Sequence, residues 1–410
     1  MKGVNALKLE TLNKLFKKFP KPENLMFINM FNDEQYPSDT IRWMVEYGSV
    51  GMTPFVAPGS PAPAIGDDMF HSEGSATAAY WKEKIFLDEV LLNNLREPLT
   101  EQTKKTAEKQ VARQNQRLRA RCDRRKEWMI SQMLFNNAFS FQVQGGSKFT
   151  VNYNVPAQNT VTLAGTDVWA DGTGAPGATA TPISDVMDIR EMYVDEVGKE
   201  PEYAVITTSL LRLMMFDPQL QTLLMKSTFG DGDLFSKPAI VLANLLGFGK
   251  LTVYDEWFDI SSWTTNVNLG ADQFTVEDAT DMEIGQRVRV YDMRQQFSWQ
   301  DSVIADINYA ANILTLTAPA AGWGNYVAGT SRVQMRKRFA SENEFLLFSR
   351  TIDNEPIAEF MEAPFGNSRT WGAYLDSKEE WDPDGMWLRV QNKGLPVLYW
   401  PNAIMRLRVR

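Results

Sequence analysis

The sequence has 410 residues, of which 44% are hydrophobic and 23% charged, ordinary globular values with apolar side chain enough for two or three domains. Its formal charge of -9 excludes a protein that holds DNA through a net excess of Lys and Arg. A single cysteine, Cys122, excludes an intrachain disulfide, and a single histidine, His71, removes most of the chemistry of triads and histidine zinc sites, leaving a carboxylate-only enzyme open.

The N-terminus, MKGVNALKLETLNKLFKKF, scatters lysines among its leucines, where a signal peptide needs one continuous apolar core. Leu12, Leu15, Phe16 and Phe19 fall at helical spacing, which predicts a short amphipathic helix acting as a docking arm. An apolar patch, Leu25 to Phe31, follows, then a strand from Thr40 to Tyr47. Residues 48 to 78 are rich in Gly, Pro, Ser and Ala, including Pro54, Pro58, Gly59, Pro61 and Pro63. Loops of such length are functional or reach toward a partner, so this one reads as an extended arm or hairpin. Tyr80 to Leu92 reads as a two-faced strand.

From Thr100 to Ala138 there is neither Pro nor Gly, and Ala, Leu, Glu, Gln, Lys and Arg dominate. This predicts one uninterrupted helix, a beam of more than roughly 50 Å across the back of a sheet. Ala107, Val111, Leu118, Cys122, Met129 and Met133 form its one narrow apolar stripe. Basic residues, among them Arg117, Arg121, Arg124, Arg125 and Lys126, outnumber the acidic Glu101, Glu108, Asp123 and Glu127. Such a run is either a solvated face or a surface that meets phosphate or the acidic surface of a neighbouring copy.

Gln142 to Leu163 is β-rich, and Gly165 to Pro182 is a Gly/Ala/Thr-rich loop. Pro182 to Val197 reads as a helix with Val186, Met187, Ile189, Met192 and Tyr193 inward. YAVIT from Tyr203 is a buried strand, SLLRLMMFDPQLQTLLM a helix, and LTVYDEWF from Leu251 a strand. EFLLF from Glu344 is another strand, and Met386 to Arg410 offers three more, MWLRV, LPVLYW and AIMRLRV. The alternation suits a central sheet covered by helices. Between Asn266 and Met335 helix signals vanish and short alternating strands such as ILTLT recur, so this block reads as a small β-barrel or sandwich spliced into a surface hairpin.

This order of parts resembles the major capsid protein of tailed bacteriophages with the Hong Kong 97-type fold, and is most similar to the lambda-type E family. FINMFNDEQYPSDTIRWMVEYGSVGMTPFVAPGS resembles that family's opening, and YWKEKIFLDEVLLNNLREP its strand leaving the extended loop. GTDVW from Gly165 resembles a local match ahead of the α/β domain, and LPVLYWPNAIMRLRVR the C-terminus. The departure is the block 266–335, where the family pattern has a short turn.

The resemblance implies an α+β, HK97-like fold. Its parts are an N-terminal arm and first strand (1–47), an extended loop (48–79), a peripheral domain with a spine helix (80–182) and an axial α/β domain (183–260). The all-β insertion (266–335) and a return through both domains (336–410) complete it. It implies a shell protein, not an enzyme, that forms pentamers and hexamers of an icosahedral virion capsid around double-stranded DNA, assembled in the host cytoplasm. Its partners are other copies, with scaffolding, portal and decoration proteins as candidates, and neither a membrane nor a cofactor or metal is implied. The basic residues Arg117, Arg121, Arg124 and Arg125 then face a neighbour or DNA. The acidic segment that holds Asp353, Glu355, Glu359, Glu362 and Asp376 supplies candidate partners, foremost Glu379, Glu380, Asp382 and Asp384.

Other readings stay open on the sequence. An encapsulin-type nanocompartment shell shares the implied fold. A carbohydrate-binding secreted protein would use Trp299, Trp323 and Tyr326 around paired carboxylates. GSKFT near Gly146 and GFGKL near Gly247 lack the spacing of a phosphate loop. GDGD from Gly230 and DPDG from Asp382 lack a full calcium ligand set and read as turns. Lys82 and Lys84 have no identified Asn partner for a covalent crosslink.

Overall fold

The computed structural model describes residues 9–47, 55, 70–96, 98, 100–142, 148–170, 177–220, 222, 237–279, 281–294, 299–366, 369–382 and 384–410. The chain forms two compact units. One comprises Met1–Asn137, Tyr153–Tyr254 and Ala340–Arg410, the other Ala138–Asn152 and Asp255–Phe339.

The amphipathic N-terminal helix is present as α1 (Leu9–Lys18), with Leu12 and Phe16 fully buried. The Asn13 side chain donates to Leu375 O (2.7 Å) and accepts from Leu375 N (3.0 Å), as a further strand would. The apolar patch is a short helix, α2 (Met26–Met30), and β1 (Asp33–Gln35) and β2 (Thr40–Tyr47) follow. β2 pairs along its whole length with β3 (Phe70–Thr77), so the described base of the expected 48–79 loop is an antiparallel ribbon. Residues 48–54 and 56–69 of that loop lie outside the described residues.

The strand expected to run to Leu92 ends earlier. β4 (Ala79–Asp88) gives way to α3 (Glu89–Arg96), because the Asp88 carboxylate accepts from Leu91 N at 3.3 Å and starts a helix there. The long helix is α4 (Glu101–Asn136), 36 residues or about 54 Å. Thr100 caps it, accepting from Thr103 N at 3.1 Å, and it stops at Asn137 in the left-handed conformation. All six residues of its predicted stripe are buried, and it crosses β4 and a long late strand.

A hairpin of β5 (Ala138–Gln142) and β6 (Lys148–Asn152) leads to β7 (Thr160–Thr162) and α5 (Pro182–Val197). The inward residues of α5 are Ile183, Val186, Ile189, Tyr193 and Val197, one stripe at spacings of three and four. Met187 and Met192, expected inward, are off that stripe and exposed. β8 (Tyr203–Ile206), α6 (Thr208–Met215), α7 (Pro238–Leu246) and β9 (Lys250–Val253) continue the first unit. The helix expected through SLLRLMMFDPQLQTLLM stops at Phe216, where Asp217-Pro218 breaks it. LTVYDEWF is likewise two strands, β9 and β10 (Trp257–Asn268), parted at Tyr254 where the chain passes to the second unit.

The second unit is built on a closed barrel. β10, β11 (Gln273–Val276), β12 (Arg287–Asp292), β13 (Trp299–Asn308), β14 (Ile313–Leu316) and β15 (Ser331–Arg338) close in the order β10-β11-β14-β13-β12-β15. Alternation puts Phe274, Val288, Val290, Leu314, Val333 and Met335 inside. Barrel strands extend from Trp257 to Arg338, further at both ends than the alternating block. Two aromatics considered for sugar binding belong to this interior. Tyr326 is buried and donates to Val290 O at 3.2 Å; Trp323 packs edge-on to Phe274 and donates to Asp272 Oδ1 at 2.6 Å. Trp299 is exposed, beneath the Arg289 guanidinium.

Back in the first unit, β16 (Glu344–Phe348) is buried throughout, as its run of apolar residues predicts. A two-stranded turn of β17 (Thr351–Ile352) and β18 (Glu355–Pro356) precedes β19 (Ala358–Glu362) and β20 (Tyr374–Trp381). MWLRV and LPVLYW, expected as two strands, form one, β21 (Asp384–Leu398), and β22 (Ile404–Arg408) ends the fold. Gly394 does not break β21. A Cβ there would lie 2.5 Å from the Phe360 ring and 2.6 Å from Met361 O, so the glycine lets β19 approach.

Two sheets result. One has the order β7-β22-β16-β8-β9, with α5 against β22 and α7 against β9. The other has the order β1-β19-β21-β20, with β4 also paired to β21. α4 lies on β21 and β4 of this second sheet, with Leu87, Leu375, Leu388 and Val390 packed in one core with Ala107, Val111, Leu118 and Cys122 of its stripe.

Candidate intersubunit surface

The basic helix divides into two populations. Arg117, Arg121 and Arg124 are exposed, and Arg125 is half-buried with its guanidinium 5.1 Å from the Trp128 ring centre. Arg121 Nε donates to Glu83 on β4 at 2.6 Å, so part of its charge is answered within the chain. Arg119 likewise holds the buried Asp123 at 2.9 Å.

Lys126 and Glu127, read from sequence as members of the charged face, are both buried. The Lys126 ammonium bonds Asp33, stands 3.6 Å from Glu362 Oε1 and lies 4.1 Å over the Phe360 ring. Desolvation of Glu362 raises its carboxyl above the usual range against the pull of Lys126. The Glu127 carboxylate accepts from Phe27 N (3.0 Å), Ile28 N (2.7 Å) and the Tyr254 hydroxyl. It therefore fastens α2 to α4, and burial raises its carboxyl too.

The stripe itself carried a signal for this. Its steps of four and seven leave gaps that 115 and 126 fill, turning it into steps of three and four. Both Asn115 and Lys126 are buried. No local pattern marks Glu127, because its partners lie about 100 and 127 residues away.

Glu379, Glu380, Asp382 and Asp384 cluster at the end of the β20–β21 hairpin, where Trp381 pairs with Asp384. Glu379, Asp382 and Asp384 are exposed, and Glu380 takes Lys378 at 3.3 Å. Two other acids considered as partners are satisfied within the chain: Glu362 by Lys126, and Asp376 by Arg389 at 2.6 Å. Arg121 stands at Glu83, which is opposite Val390 in the register, so the hairpin end at Asp384 is about 20 Å further along β21. Sequence reading also passed over Trp381, 88% exposed amid these acids. The signal available was a large aromatic beside a DPDG turn, a place where hydrophobic residues have no core to enter.

Chemistry is muted elsewhere. Burial pushes the Cys122 thiol up to about 12, and Trp81 Nε1 donates to its sulfur at 3.2 Å, which leaves an inert structural thiol. Among the described residues no cluster of His, Cys, Asp and Glu could hold a metal, and no helix is long and apolar enough to cross a membrane. The GDGD turn lies outside the described residues.

Residues 9–274 match the family described as phage major capsid protein E. No curated protein matches the chain. Among solved structures it is similar to a phage-related protein of Bordetella bronchiseptica RB50, at 10% identity and TM-score 0.48 over 97% of this chain and 96% of that one. It is similar at 12% identity and TM-score 0.48, over 97% and 96%, to a protein of an Escherichia coli CFT073 prophage assigned as its capsid protein. An encapsulin of Synechococcus elongatus PCC 7942 is a third, at 9% identity and TM-score 0.36 over 95% and 89%. With most of its length matched to one family, the chain belongs to the phage major capsid protein E family and is a structural protein of the tailed-phage virion.

Proposed function

We propose that this chain builds the icosahedral shell as pentamers and hexamers of a Hong Kong 97-type fold. In this reading α4 is the spine and the sheet of β4, β20 and β21 is its peripheral domain. The sheet of β16 and β22 is axial, and the barrel is a module inserted into the axial domain and displayed on the outside. The family membership carries the shell. The observation that carries the contact is the opposition of an exposed basic face at Arg117, Arg121 and Arg124 to an acidic hairpin end at Glu379, Glu380, Asp382 and Asp384. Complementary charge of this kind sets register and partner choice more than affinity. Modest contacts repeated around a closed assembly are enough to hold it.

Scaffolding, portal and decoration proteins are the further partners, and assembly takes place in the host cytoplasm. Double-stranded DNA is enclosed without sequence-specific contact, in keeping with a net charge of -9.

The double reversal Arg117→Glu with Arg124→Glu tests the contact. Exposed pairs contribute about 0.2–1 kcal/mol each, and reversal adds repulsion, so the protein concentration needed for assembly should rise roughly tenfold. Adding Glu379→Arg and Glu380→Arg should restore part of it. Assembly of the double variant at wild-type concentration and salt dependence would remove the pairing.

A further inference from the structure

The barrel shows how this chain holds an arginine. Trp257 and Asp259, two residues apart and so on one face of β10, grip Arg336. Its guanidinium carbon is 3.6 Å from the Trp257 ring centre and its Nε 3.0 Å from Asp259 Oδ1. Trp299 and Asp301 on β13 grip Arg289 in the same way, at 4.8 Å and 2.8 Å. Each clamp combines the negative face of an indole with a carboxylate two residues on, and both act on one planar cation.

The same two ingredients meet on β20 in reverse order, where Glu379 stands two residues before Trp381, beside Asp382 and Asp384. No cation covers this indole among the described residues. Trp381 is 88% exposed, against 44% for Trp257 and 48% for Trp299. The hairpin end presents the aromatic half of a clamp without its arginine.

We infer that Trp381 is the anchor of the shell contact and receives an arginine, Arg117 or Arg124, from α4 of a second copy. The inference rests on the shell reading above and adds to it the residue on which the contact turns. Arg117 and Arg124 are exposed and seven residues apart, hence on one helix face about 10 Å apart. No ion-pair partner is seen for either among the described residues. One can enter the clamp while the other meets the remaining carboxylates. The occupant is a second copy because the charge on offer, an arginine row on an otherwise acidic protein, complements the acidic hairpin end.

The test incorporates the photoreactive residue in Trp381→p-benzoylphenylalanine, assembles the full-length protein, irradiates it and maps the adduct by mass spectrometry. Adducts joining 381 to residues 113–125 of a different copy are expected. Adducts confined to other segments, or their absence from intact particles, would overturn the proposal. Trp381→Ala and Trp381→Phe give a second measure. The concentration needed for assembly should rise about tenfold for the alanine variant, and much less for phenylalanine, which keeps an aromatic face. Equal, wild-type assembly of both would overturn it even if the photoreactive variant failed to assemble. If the wild-type protein itself forms no particles, the shell reading fails and the anchor with it. Particles without the adduct remove the anchor alone.

Discussion

Glu127→Ala will unfold the first unit roughly 3–5 kcal/mol more easily than wild type, measured by urea titration. The carboxylate is fully buried and is the acceptor for Phe27 N, Ile28 N and the Tyr254 hydroxyl. Each donor left without a partner costs about 1–3 kcal/mol, because no water replaces the lost acceptor. The site is also closely packed. Phe27 is fully buried and stands edge-on to Tyr254 and Phe135, with ring centres 5.2 and 6.3 Å away, so a cavity adds to the loss. Glu127→Gln should fall between, since its amide keeps one oxygen but turns a donor toward a donor. Tyr254→Phe removes the hydroxyl's bond alone and should cost about 1 kcal/mol. An alanine variant as stable as wild type would show that α2 is not held by this carboxylate.

Lys126→Met is the second large effect, at about 3 kcal/mol. Removing one partner of a buried ion pair strands the other, a loss of about 3–5 kcal/mol when burial is complete. The lower end applies because the Asp33 side chain keeps 29% of its exposure. The ammonium also lies over Phe360, and methionine preserves that apolar contact. The pH dependence has a definite sign. Burial holds the Glu362 carboxyl above its ordinary value, and loss of Lys126 raises it further. A carboxyl raised in the folded state favours folding at pH below its unfolded value, and that contribution is lost as pH rises through the folded one. The defect of Lys126→Met should therefore be larger at pH 7 than at pH 4. A defect that grew on acidification would contradict the assignment.

These two residues also mark where the sequence could be read and where it could not. α4, α5 and β16 were legible because period and composition agree over many residues, and tertiary packing only confirms them. The start of α3 was hidden because Asp88 reads as the polar side of a strand until its carboxylate is seen to cap Leu91. β21 was read as two strands because Gly394 and Pro396 are turn residues by local preference. Here the closeness of β19 requires the one, and β21 accommodates the other where Pro396 pairs with Phe360. Charge on the helix was read as surface, although the heptad-like stripe already placed position 126 inside. The surface residues Arg117, Arg121, Arg124, Glu379, Asp382 and Asp384 were found by charge counting, which needs no partner in the same chain. Trp381 was missed since an isolated tryptophan is by default a core residue.

Negative-stain electron microscopy of the purified protein, with its absorbance ratio at 260 and 280 nm, tests the central claim most directly. Closed shells or capsomer-sized rings are expected, with nucleic acid in particles taken from infected cells. A monomer that persists at high concentration would contradict the shell, and protein-filled particles free of nucleic acid would contradict the virion.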